Sequence, residues 1–335
     1  MEVIGNSQVH FYEPEDEVPQ TPGEDSNWQE SFVVYFWDVE SKVFAFLRLS
    51  QQPSREPATF VHWIHIWTPE FVYRHVDETP FGAGEVFADG LVVDGGRCSF
   101  RYDGKFHWTV RDAQQDIELN LSLEDAHPPI GPFAKDPSGA FATQSSKEHI
   151  EATGPATGLL KIAGVETELR GVQWRDHSWG NRDWYNIRCH RFFPAMFGPE
   201  FNFFAVTFVG PEGGKAKVGS LICNDTIRIV DDFDILVNMG SDGVTNAGGK
   251  VRLNLDGRVH EMIFTPLTSC GVSYGDNFAL SASMCSVTMD GKTGIGVSET
   301  SNNLHGGQEA VACISEPTLS GNGLFATRPD PWGWP

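Results

Sequence analysis

Between Gly171 and Trp184 the chain reads Gly-Val-Gln-Trp-Arg-Asp-His-Ser-Trp-Gly-Asn-Arg-Asp-Trp, which crowds aspartates, a histidine, arginines and tryptophans into one short stretch. A carboxyl beside an imidazole can pass it a proton, so Asp176 and His177 are candidate general acid and base, with Asp183 as a second carboxyl. Arg175 and Arg182 are cations able to hold a carboxylate ionised, and Trp174, Trp179 and Trp184 can wall the group off from water. Glycine and asparagine at 180 and 181 mark the segment as turn-forming. An acid or base at the end of an apolar pocket would be assembled from these parts. Trp179, Trp184, Trp174, Trp63, His62 and Tyr185 are the candidate lining residues, and a small apolar molecule is the expected ligand. The alternative is structural: a buried knot of ion pairs in which Arg175 and Arg182 pin a domain junction.

Other motifs point away from chemistry. His62 and His65 stand three apart in a strand pattern, which sends them to opposite faces, so no metal site is expected. His62, among Phe60, Ile64 and Ile66, reads as a core histidine or as a pocket wall. Cys189 and His190 are neighbours on a strand and likewise diverge, which disfavours a thiolate pair. Ser178 lacks the Gly-x-Ser-x-Gly elbow of a hydrolase, and the glycines from Gly243 to Gly249 lack phosphate-loop spacing and a following helix. No cofactor is expected.

The elements that must position these residues read as strands. Ser31 to Asp38 and Lys42 to Leu49 form a hairpin pattern, and in Phe60 to Trp67 large residues alternate to both faces. Asp103-Gly104 separates Cys98 to Tyr102 from Phe106 to Val110, and Asp116 to Leu123 alternates apolar and polar residues. From His127 to Lys147 prolines and small residues replace the pattern, a long loop or junction. Ala163-Gly164 joins Leu159 to Ile162 with Val165 to Val172. The later strand patterns are Tyr185 to Phe193, Asn202 to Val209, Val218 to Cys223, Ile227 to Val237, Lys250 to Leu255, Glu261 to Pro266, Phe278 to Met289 and Gly294 to Thr300. No amphipathic helix of three turns occurs, so the fold class is all-β, made of sandwich or barrel domains.

With 335 residues the chain exceeds the size of one ordinary core. The expected division is an acidic amino-terminal arm (1–26), two β domains (27–155 and 156–320) and a tail (321–335). The arm, rich in proline and acids, is expected to lack the burial needed for order. Lys and Arg number 24 against 45 Asp and Glu, a formal charge of -21. That charge repels phosphate backbones and anionic lipid, so no nucleic acid partner is expected. No apolar run is long enough to span a membrane, no signal peptide pattern opens the chain, and the six cysteines are scattered without a CxxC pair. Free thiols in the cytoplasm are the expectation, with no membrane insertion and with a homodimer admitted.

The run Arg-Asp-His-Ser-Trp-Gly-Asn-Arg-Asp-Trp at 175–184 resembles the signature of the carotenoid hydratase and AttH-type superfamily. The opening Asn27-Trp28-Gln29-Glu30-Ser31 and its hairpin are similar to the amino-terminal domain of these proteins. The resemblance implies two lipocalin-like (calycin) β-barrel domains packed around a central apolar cavity, with the signature as the turn that joins them. In the hydratases an acid protonates an isoprenoid alkene and water captures the cation. His177 and Trp179 match the family histidine and tryptophan, and Asp176 precedes them as it does there. Fungal pericyclic cyclases of similar build imply a route that works by shaping the reactant. The expected function is a cofactor-independent enzyme on a terpenoid or polyketide-like substrate, a hydratase, dehydratase or isomerase. In it Asp176 acts as acid or base, tuned by His177 and held by Arg182. A non-catalytic carrier of a hydrophobic ligand is the alternative.

Overall fold

The computed structural model describes residues 1–4, 9–131, 148–182, 187–198, 201–210, 215–240, 246–274 and 278–303. The chain divides into two compact units. The amino-terminal unit comprises Val9–Ala134 and Ser146–Arg182; the carboxy-terminal unit comprises Met1–Gln8, Lys135–Ser145 and Asp183–Pro335. The boundary expected between 155 and 156 therefore moves. It would cut the strand Glu148–Ile162, whose every residue pairs with the strand Val165–Asn181 and so keeps both in one unit.

Thirteen strands form the sheet of the amino-terminal unit. Its main path runs Val72–Pro80, Thr59–Trp67, Val43–Gln52, Trp28–Asp38, Val165–Asn181, Glu148–Ile162, Ile117–Leu123, Phe106–Asp112, Cys98–Tyr102, Gly90–Val93, Glu85–Phe87, each strand antiparallel to the next. Sheet twist curls this ribbon until strands far apart on the path share a core. Phe32, Phe36, Leu47, Ile64 and Tyr73 from one end pack with Leu91, Phe100, Trp108 and Leu121 from the other. The closure is also polar: the Tyr73 hydroxyl donates to Asp112 at 3.0 Å.

The arm is not a loose segment. Glu17 is fully buried against Arg175, Tyr12 donates to Glu148 Oε2 at 2.7 Å, and the Gln20 amide donates to Glu30 Oε1 at 2.8 Å. Its acids find partners far along the chain, which composition alone does not reveal.

Eleven strands form the sheet of the carboxy-terminal unit, with Glu2–Ile4 lying parallel to Thr226–Val230 and the remaining pairs antiparallel. Phe193, Phe203, Phe233, Val251, Met262 and Phe264 fill its core. Asp256-Gly257 and Asp290-Gly291 both take positive φ, the conformation of a two-residue hairpin turn. Cys98, Cys223 and Cys285 are free thiols, and Cys313 lies outside the described residues. Among the described residues no helix is long and apolar enough to cross a membrane.

Candidate functional site

The signature is a strand, not a turn. Val165–Asn181 runs unbroken for 17 residues, flanked by Glu148–Ile162 on one side and Trp28–Asp38 on the other. Two ladders of backbone hydrogen bonds outweigh the turn preference of Asp, Ser, Gly and Asn. Successive side chains of a strand point to opposite faces, so Asp176 and His177 are turned away from each other and the direct proton transfer expected between them is excluded. Arg175, His177 and Trp179 share the core face; Trp174, Asp176 and Ser178 share the other.

On the core face the charged groups are spent on structure. His177 Nε2 donates to Glu30 Oε1 at 2.9 Å, and its ring stacks on Phe32 with centroids 4.0 Å apart. Glu30 also accepts from the Gln51 amide at 2.5 Å. Arg175 is held bidentately by Glu17 (2.9 and 2.6 Å) and by Asp125 (3.0 and 2.6 Å), and its guanidinium lies 4.3 Å above the Phe106 ring. These carboxylates raise the Arg175 pKa further against the cost of burial, so it is a permanent cation. Trp179 packs 4.6 Å from His177 and 5.9 Å from Tyr12. His177 is thus a pinned core residue, and the role of tuning Asp176 passes elsewhere.

The second face gathers the remaining candidate residues. Strand register lays its side chains out in rows across five strands. One row is His149, Ser178, Ser31, Ser50, Val61; the next is Glu151, Asp176, Val33, Arg48, Trp63; the third is Thr153, Trp174, Tyr35, Phe46, His65. A carboxylate pair thus stands at one end of an aromatic floor. Trp37, Phe46, Trp63, His65, Trp67 and Trp174 on this face are buried, yet none belongs to the unit's core cluster. Phe46 stacks on Tyr35 at 4.9 Å, and Arg48 lies 4.0 Å over the Trp63 ring.

Glu151 is directly opposite Asp176 and receives two donors: His149 Nε2 at 2.6 Å and the Trp174 indole N–H. Ligand atoms of His149, Glu151 and Asp176 all lie within 4.8 Å of one another. Burial pushes the His149 imidazole down to about 4, against the pull of Asp176 and with the repulsion of Arg182 and His177. A neutral His149 donates from Nε2 to Glu151. Arg182 donates to Ser178 Oγ at 2.6 Å and to Ser31 Oγ at 3.3 Å, so it braces the top row beside the trio.

Of the residues singled out in sequence, Asp176, Trp174, Arg182 and Trp63 come together on the second face. His177, Trp179 and His62 belong to the core face, because each is odd in register with Asp176 or Trp63. Asp183, Trp184 and Tyr185 lie outside the described residues. Cys189 and His190 diverge as expected, with His190 donating to Glu299 at 2.8 Å. Sequence reasoning missed His149 and Glu151. Their strand is disguised by Gly154, Pro155 and Gly158, although His149 and Glu151 are themselves spaced for one face.

A family model described as "Domain of unknown function (DUF7064)" matches residues 13–304. No curated protein matches the chain in sequence. Solved structures do match in fold. A Nitrosomonas europaea protein described as a candidate AttH superimposes with a TM-score of 0.64 at 13% identity, covering 83% of this chain and 94% of that one. CghA gives 0.56 at 13% identity, over 88% and 97%. Kievitone hydratase from Nectria haematococca gives 0.56 at 11% identity, over 87% and 91%. The fold is the all-β, two-domain lipocalin-like one that the signature implied.

Proposed function

The chain belongs to the DUF7064 family, and we propose that it is an enzyme that adds or removes water, or shifts a double bond, on an apolar terpenoid or polyketide-like molecule. The observation that carries this reading is a pair of neighbouring rows: Glu151 faces Asp176 in one, and Trp174, Tyr35 and Phe46 lie side by side in the next, which sets a carboxyl pair beside an aromatic surface. Glu151 accepts from the Trp174 indole and His149 and stands directly opposite Asp176; like charges this close disfavour double ionisation, and the proposed mechanism assigns the shared proton to Asp176.

In the hydration direction Asp176 gives this proton to one alkene carbon and the π pair forms the new C–H bond. The adjacent carbon becomes cationic, and the faces of Tyr35 and Phe46 stabilise it. Water closes on that carbon and its surplus proton returns to the carboxylate of Asp176. Dehydration is the reverse. Loss of a neighbouring proton in place of water capture gives isomerisation. A hydratase among the structural neighbours supports the class of reaction, at the level of a shared fold.

The test is Asp176→Asn assayed on a panel of isoprenoid and polyketide alkenes in deuterium oxide, with products read by mass spectrometry. The reading expects carbon-bound deuterium in the wild-type product and loss of turnover in the folded variant. Undiminished turnover by Asp176→Asn, or product free of deuterium, overturns it; the latter is the signature of a pericyclic cyclase.

A further inference from the structure

Away from the carboxyl pair, at the edge of the same unit, two imidazoles converge in a manner that ordinary hydrogen bonding does not satisfy. His62 on Thr59–Trp67 and His75 on the edge strand Val72–Pro80 bring their Nε2 atoms to 2.9 Å, with rings stacked at 4.8 Å. Asp77 is the direct cross-strand partner of His62, and ligand atoms of His62, His75 and Asp77 lie within 4.8 Å of one another. His75 Nε2 also stands 3.0 Å from Asp94 Oδ2.

An imidazole nitrogen carries at most one hydrogen, directed along one line in the ring plane. If His75 Nε2–H points to Asp94, nothing remains for the lone pair of His62. If His62 Nε2–H points to His75, the His75 lone pair faces the Asp94 carboxylate at 3.0 Å. One proton cannot serve both contacts. A cation placed between the imidazoles serves His62, His75 and Asp77 at once, and its charge draws the Asp94 carboxylate that stands 3.0 Å from His75.

We propose that His62 Nε2, His75 Nε2 and the Asp77 carboxylate bind a first-row divalent metal ion of the zinc class. Imidazole and carboxylate are ligands suited to such ions. With metal–nitrogen bonds of about 2.0–2.1 Å, a 2.9 Å separation subtends roughly 90° at the ion, and opening it by a few tenths of an ångström reaches the tetrahedral angle. The charge balance also favours a cation. Asp77 and Asp94 flank the site, while the nearby Arg97 is engaged by Asp94 at 2.8 Å and by Asp112 at 2.8 Å.

His65, three residues from His62, points to the other face and takes no part; the second histidine comes from the next strand of the hairpin. The ion joins the first two strands of the sheet path, beside the Asp94 turn, and its role is to hold this edge hairpin. This assignment is independent of the reaction proposed for Asp176.

The test uses the full chain, stripped with chelator and titrated with Zn²⁺ and with Co²⁺. The expected result is one ion per chain, a Co²⁺ absorption band in the visible, and a rise in Tm with added Zn²⁺. His75→Gln and Asp77→Asn lie on the edge strand with partial exposure, so they keep the fold; each should weaken Zn²⁺ retention by ~10-fold or more. Asp176→Asn should retain the ion. Absence of a Co²⁺ band in the wild type, retention unchanged in both edge variants, or loss in Asp176→Asn alone overturns the assignment. The last outcome would place the ion on His149, Glu151 and Asp176.

Discussion

Replacing Glu17 by Gln removes one of the two carboxylates that neutralise Arg175 inside the amino-terminal unit. Arg175 and Glu17 are exposed by only 2% and 1%, and the pair is joined by hydrogen bonds of 2.9 and 2.6 Å. Removing one partner of such a buried pair costs about 3–5 kcal/mol, because the remaining charge stays desolvated. Here Asp125, itself 25% exposed, keeps its own two bonds to the guanidinium and limits the loss. The expected destabilisation is about 2–4 kcal/mol, or ~5–15 °C in Tm for a unit of this size. Urea unfolding followed by tryptophan fluorescence measures it, since Trp108 and Trp174 report on this unit. Glu15→Gln, at an exposed position of the same arm, is the control and should change stability by less than about 0.5 kcal/mol. A loss below about 1 kcal/mol in Glu17→Gln would show that the arm contributes no structural bond, and would refute the account of the core face as an ion-paired scaffold.

Asp176→Asn should lower turnover by ~10²–10⁴-fold, the usual weight of general acid–base catalysis, while Tm shifts little; equal losses of fold and activity would count against the proton role. Trp174→Phe keeps the ring and removes the indole donor to Glu151, so turnover should fall with a shift in its pH profile; an unmoved profile would detach Trp174 from the carboxyl pair. His149, His62 and His65 are pushed down to about 4, 4 and 3 by burial, so they are neutral when folded and take protons when unfolded below their ordinary 6.5. The unfolded state binds more protons in that window. Stability should be fully present above pH 6.5 and decline as pH falls towards 4 and 3, which urea midpoints between pH 7.5 and 4.5 would reveal; a flat profile contradicts their burial.

The strands with regular alternation were readable from sequence. Thr59–Trp67 and Trp28–Asp38 appear close to their expected limits because large side chains occupy both faces. Glu148–Ile162 was only partly readable. A Cβ on Gly154 would stand 2.0 Å from the Glu124 carbonyl oxygen, so the close approach of a neighbouring chain demands a residue that erases the pattern. The signature segment was read as a turn since its own residues prefer turns, and only its two partner strands overrule them. Glu17 was read as part of a solvated run; its partner lies 158 residues away, beyond any local pattern. Asp176 was singled out in the sequence, but the groups beside it, Glu151 and His149, stand across a strand pair that the sequence does not announce.

The alternation of Val165–Asn181 has a consequence for how this segment is compared with others. The six contiguous letters from Trp174 to Trp179 are in fact two interleaved messages. Arg175, His177 and Trp179 spell out how the ribbon is to be held together, and Trp174, Asp176 and Ser178 what the opposite face presents. A protein may keep one message intact and rewrite the other, so similarity scored along the unbroken string can certify the architecture and stay silent on the chemistry.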